Sequence, residues 1–275
     1  MINLKRKYII CIFAFLFVVV SGVSAFAEEK ELQTEIVKEQ IDLETRPLRG
    51  NGCNVQFFKM FSKSLGKEIK IYVILPPEYR AYPGKKYPIL YALPPRGSSY
   101  RIFMFIKSIS EILRNKPMII AGFEVDVNLR YKGIDQFFFD EFIPLVDKYY
   151  IVNIDQRMLN GITMGGYGAL NYMLAKPEMF ISVSSVDGDW NKDEKEDMFK
   201  KIKEYAERKI KLPPVALGCR AEDGNVEANV EMKDFLEKNG FSLRFAKSAV
   251  KDSSTFWDIV YEEILDFHWK SIPKK

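Results

Sequence analysis

Residues 161–170 constrain this chain more than any other stretch: Gly161 and Gly165 bracket Thr163 in a Gly-x-Thr-x-Gly frame, and Gly166, Gly168 and Ala169 keep the following residues small. Paired glycines of this kind let a strand turn sharply into a helix and lift the residue between them above the sheet edge. Residues 157–160 read as a short strand leading in, and 165–174 as a helix that packs closely on the sheet. The frame therefore predicts a strand–elbow–helix unit, with Thr163 where a nucleophilic serine is expected.

The rest of the chain supplies a setting for such a unit. Strand formers concentrate at 55–58, 69–75 and 87–93, ahead of the first helix. Helices and strands then alternate: a helix over 101–113, a strand at 118–121, a helix over 137–149 and, past the elbow, a strand at 181–186. A charged helix over 195–208, a strand ending at Cys219, a helix over 226–239, a strand at 241–246 and a helix over 257–269 follow. Such alternation predicts an α/β fold with a mostly parallel central sheet, helices on both faces, and a functional edge at the carboxyl ends of the strands. The charged segment 190–211 reads as a short cap over that edge.

The amino terminus has the pattern of an export signal: Lys5, Arg6 and Lys7, an apolar run from Tyr8 to Val20, and Ala25-Phe26-Ala27 as a small-x-small cleavage site. A membrane helix is the competing reading, against which Ser21, Gly22 and Ser24 interrupt the run. The expectation is a signal peptide at 1–27, an N-terminal extension at 28–50, and one domain over 51–275 in a secreted or periplasmic protein. The full chain carries a formal net charge of +4, three units of it from Lys5, Arg6 and Lys7. That balance offers no electrostatic basis for nucleic acid, or for a membrane after signal removal, as a partner. Cys53 and Cys219 would remain after cleavage; pairing and simple burial are both open for them.

The elbow, the opening segment 64–68 and the strand at 87–91 together resemble the putative-esterase family of α/β-hydrolases, which includes S-formylglutathione hydrolases, feruloyl and acetylxylan esterases, siderophore esterases and mycolyltransferases. The resemblance runs from about residue 54 to the last helix. It implies an α/β-hydrolase fold, carboxylic-ester hydrolysis, and neither cofactor nor metal. Carried over residue by residue, it puts the nucleophile at Thr163 and the carboxylate at Asp223, in a turn similar to the family's Cys-Gly-x-x-Asp with Arg220 in place of glycine. It puts Asp252 at the family's histidine, and the oxyanion donors at the backbone N–H groups of Arg96 and Met164. The loop before Arg96 is Pro94-Pro95, where the family has His-Gly.

These departures bear on chemistry. Ester hydrolysis by this route needs a base that can accept and return a proton near neutral pH, and an aspartate with a reference pKa of about 4 does this poorly. Threonine adds a methyl group at a crowded, strained position. His268 is the chain's single histidine, and it reads as a partly exposed residue at the end of the last helix, remote from the elbow. Asp187 and Asp189 read as solvated turn residues, with a cation site as the alternative; Arg96 or Arg220 would neutralise Asp223 and Asp252. Two function classes follow: an ester hydrolase with weakened or lost catalysis, and a noncatalytic relative that binds a small ester, a glycan or a protein.

Overall fold

The computed structural model describes residues 44–47, 53–79, 84–97, 106, 109–124, 133–221, 224–248 and 253–274. The expected signal peptide lies outside the described residues, as does most of the expected extension. Nine described strands form one sheet: β1 Glu44–Pro47, β2 Asn54–Ser62, β3 Lys67–Leu75, β4 Tyr87–Leu93, β5 Ile119–Phe123, β6 Val152–Ile162, β7 Ser182–Val186, β8 Val215–Arg220 and β9 Leu243–Ser248. Their spatial order is β1-β2-β3-β5-β4-β6-β7-β8-β9. The pairs β1–β2, β2–β3 and β3–β5 are antiparallel, and every pair from β5 to β9 is parallel. The expected α/β-hydrolase architecture is therefore present.

Burial explains the sheet's two halves. All seven residues of β4 and all five of β5 are buried, as a parallel strand covered on both faces requires. Strand β2, near the antiparallel edge, mixes buried with exposed positions. One face is covered by a π-helical segment Phe137–Phe142 running into α2 (Ile143–Tyr149), and by α3 (Met164–Ala175), α4 (Lys192–Glu207) and α5 (Val226–Lys238). The other carries α1 (Ile109–Asn115) and α6 (Ser253–Lys270), with Leu90, Ala92, Met158 and Ile162 beneath them. Neighbours in β4 show the division: Tyr91 joins the first core and Leu90 the second.

Three details depart from the sequence reading. Residues 44–47, expected within a loose extension, pair antiparallel with β2 as a short edge strand. Strand β6 runs eleven residues rather than four, and its register against β4 shifts between Tyr87 and Ile89, which accommodates the polar stretch 153–156. The charged segment 190–211 does not form a cap. Its helix α4 buries Glu194, Met198 and Ile202, and the two apolar residues, four apart, enter the same core as the sheet. A capping box at Asn191 and Glu194 starts that helix, so it is a crossover helix of the sheet layer.

Candidate functional site

Thr163 sits between the last residue of β6 and the first of α3 at φ 48°, ψ −114°, a backbone region that a β-branched residue occupies only under strain. Its surroundings hold it there. The Thr163 N–H donates to the Val186 carbonyl at 2.8 Å, and its own carbonyl accepts from Gly166 at 2.8 Å and from Asp189 at 3.0 Å. A Cβ at Gly161 would lie 1.8 Å from the Gly165 carbonyl oxygen, and one at Gly165 would lie 2.1 Å from that of Leu93. Both glycines of the frame are thus required by close backbone approach. The elbow expected from the sequence is present, with Thr163 half-buried at its tip.

Of the expected oxyanion donors, Met164 is the first residue of α3, where a helix provides no acceptor of its own for the N–H. Arg96 lies in the turn after β4, and the Leu93–Gly161 pairing sets that turn beside the elbow. Its side chain is exposed. Asp223 and Asp252 lie outside the described residues. The elements that bracket them are described: β8 ends at Arg220, and α6 begins at Ser253, immediately after residue 252.

Asp187 overturns the solvated-turn reading. It is fully buried, at φ 48° on the residue after β7, and its carboxylate accepts from the Arg220 N–H at 2.9 Å and from Arg220 Nε at 3.0 Å. Burial of a carboxylate demands such a partner, and Arg220 supplies it. The Arg220 guanidinium also lies over the Phe256 ring, 5.5 Å from its centroid, which ties the end of β8 to α6. The turn is fixed from behind by Asn229, which accepts from the Gly188 N–H at 3.2 Å and donates to the Gly188 carbonyl at 3.0 Å. Asp189 is half-buried. Among the described residues no group of three or more His, Cys, Asp or Glu side chains is arranged to hold a metal.

His268 is remote from the elbow, as expected, but it is completely buried rather than partly exposed. Its Nδ1 lies 2.8 Å from Ser182 Oγ and its Nε2 2.7 Å from Ser184 Oγ, one nitrogen donating and the other accepting. Ser184 also accepts from Asn160 Nδ2 at 2.9 Å, and the Asn160 carbonyl accepts from Tyr261 Oη at 3.0 Å, so the network is closed. Burial pushes the His268 pKa down to about 3 and keeps the ring neutral. Ser184 pairs with Asn160, three residues before Thr163, which is about 10 Å along the strand. The reason for the miss is that α6 continues through Lys270 with Tyr261, Leu265 and His268 on one buried face. The sequence signal was there in the alternating serines of β7, which need a polar partner when the strand is buried.

Cys53 and Cys219 are both buried and do not form a disulfide with each other. Burial, the largest influence, pushes the Cys53 thiol pKa up.

A profile of the family described as Putative esterase matches residues 62–240. Esterase Rv1288 of Mycobacterium tuberculosis (strain ATCC 25618 / H37Rv) is 27% identical over 152 residues, which cover 50% of this chain and 33% of that protein. The chain thus matches about a third of the length of this curated relative. Among solved structures, an S-formylglutathione hydrolase from Agrobacterium tumefaciens aligns with a TM-score of 0.70 at 14% identity, covering 85% of this chain and 99% of that one. The feruloyl esterase module from Clostridium thermocellum, complexed with sinapinate, aligns with a TM-score of 0.64 at 18% identity, covering 82% and 92%. These likenesses establish the fold. By its matched profile, its sheet order and its elbow, the chain belongs to the putative-esterase family of α/β-hydrolases.

Proposed function

We propose that this is an exported esterase-family protein in which ester hydrolysis is weakened to near background and the retained carboxyl-edge site serves ligand binding, of a small ester, a glycan or a protein partner. The observation that carries this reading is the fate of the only histidine: His268 is buried, held by Ser182 and Ser184 at both ring nitrogens, and neutral down to about pH 3. No imidazole is left to serve Thr163. The resemblance leaves Asp252 at the base position, where an aspartate would be a weak proton acceptor at neutral pH. A secreted or periplasmic location is proposed from the amino-terminal signal pattern alone.

One observation favours a second reading, slow hydrolysis centred on Thr163. The elbow strain is kept on a β-branched residue at a cost of about 1–3 kcal/mol. Hydrolysis of p-nitrophenyl acetate and butyrate by the purified protein and by Thr163→Ala separates the two. Equal, near-background rates are expected. Robust hydrolysis that disappears in Thr163→Ala would establish the second reading.

A further inference from the structure

Asn229, one turn into α5 and fully buried, makes side-chain contacts that reach the elbow from outside it. Its carboxamide oxygen accepts from the Gly188 N–H at 3.2 Å, and its nitrogen donates to the Gly188 carbonyl at 3.0 Å and to the Asn225 carbonyl at 2.8 Å. One side chain thus satisfies both main-chain groups of a single residue, as a neighbouring strand would. The pairing needs a carboxamide: an ionised aspartate has no donor, and leucine, close to asparagine in shape, has neither donor nor acceptor.

Gly188 is the middle of the turn that braces Thr163. On one side, Val186 offers its carbonyl to the Thr163 N–H at 2.8 Å; on the other, the Asp189 N–H donates to the Thr163 carbonyl at 3.0 Å. The turn also packs tightly. A Cβ on Gly188 would lie 2.1 Å from Trp190 Cζ3, and one on Gly166, in the first turn of α3, would lie 2.4 Å from Ser185 Oγ and 3.0 Å from Gly188 Cα. Thr163 and Asp187, two of the non-glycine residues with positive φ, are joined through this turn, and such conformations persist only where the surroundings over-determine them. Arg220 holds the Asp187 side chain, and Asn229 holds the Gly188 main chain.

We infer that Asn229 is a positioning residue for Thr163: its carboxamide clamp on Gly188 holds the turn that fixes the strained elbow in which the Thr163 hydroxyl is presented. It acts through Gly188 and Asp189 and takes no part in chemistry itself. The assignment goes beyond the reading above, because the elbow geometry is the same requirement whether the site binds a ligand or turns over an ester.

Amide hydrogen exchange followed residue by residue by NMR on the full chain tests it. In the parent, the Gly188, Asp189 and Thr163 amides should open as one unit with a common urea dependence. Asn229→Leu keeps the side-chain shape but leaves both Gly188 groups without their partner. Exchange at Thr163 and Asp189 should then quicken by about tenfold or more, the scale of one buried polar group left unsatisfied, while the β2–β3 ladder keeps its parent rates. The Thr163 amide resonance should also move as its backbone relaxes, which a uniform loss of stability would not produce. The parent measurement decides the matter even if the variant does not fold. Opening of Thr163 uncoupled from Gly188 in the parent, a folded variant in which Thr163 exchanges and resonates as in the parent, or acceleration spread evenly over the sheet would each overturn the assignment. No ester or ligand is present in these measurements, so brisk ester hydrolysis would overturn the noncatalytic reading without touching this result.

Discussion

Acidification should destabilise the folded protein by about 4 kcal/mol between neutral pH and pH 3 through His268 alone. The sign follows from the direction of the shift. The unfolded chain takes up a proton near pH 6.5, whereas the folded protein resists it until about pH 3. In that window the unfolded state binds more protons, and stability falls as pH falls, by about 1.4 kcal/mol per unit. Reference carboxyl pKa values lie near 4, so the interval from pH 7 to 5 is the one that reports on the histidine, at about 2 kcal/mol. Urea denaturation at pH 7, 6 and 5 measures it. His268→Gln removes the titrating group and should flatten the profile over that interval, whatever it costs in overall stability. A parent profile already flat from pH 7 to 5 would mean that His268 is protonated in the fold, and that the closed network around it is wrong.

Restoring the family's residues should produce the largest change in activity. Thr163→Ser alone leaves the site without a competent base, and Asp252→His alone leaves the threonine methyl at a strained, crowded elbow. Each single variant should hydrolyse p-nitrophenyl acetate near background. The double variant should exceed either by about 100-fold or more, because nucleophile and base act as one unit and positioned acid–base groups contribute on that scale. Pro94 and Pro95 set a ceiling: a displaced oxyanion donor at Arg96 would itself cost on the order of 100-fold. Full recovery in Asp252→His with Thr163 intact would show that the threonine is no lesion.

How much of this was legible in the sequence depended on how local the cause was. The elbow was, because two glycines at fixed spacing leave the backbone one solution, and Gly161 and Gly165 prove sterically unable to carry a Cβ. Strand β4 was legible because seven consecutive residues suited to burial on both faces fit only the middle of a sheet. Strand β1 was hidden by its four-residue length and its proline. The amino half of β6 was masked by Asn153, Asp155 and Gln156, which the register shift against β4 absorbs. The two misread charged or titratable residues share a cause. Asp187 and His268 look solvent-facing in local sequence, and each is buried because a partner 33 or 86 residues away satisfies it. Long-range pairing of that kind leaves only a faint trace, such as the alternating serines of β7 or an arginine where the family pattern has glycine.

The most direct test of the central claim, that the elbow persists without an activated nucleophile, is covalent labelling of Thr163. A fluorophosphonate loses fluoride to an activated hydroxyl and leaves a stable adduct that intact-mass measurement detects. The parent protein at neutral pH should remain unlabelled at Thr163 over a time in which the Thr163→Ser/Asp252→His variant is modified. Stoichiometric labelling of the parent, mapped to Thr163 and absent from Thr163→Ala, would contradict the account.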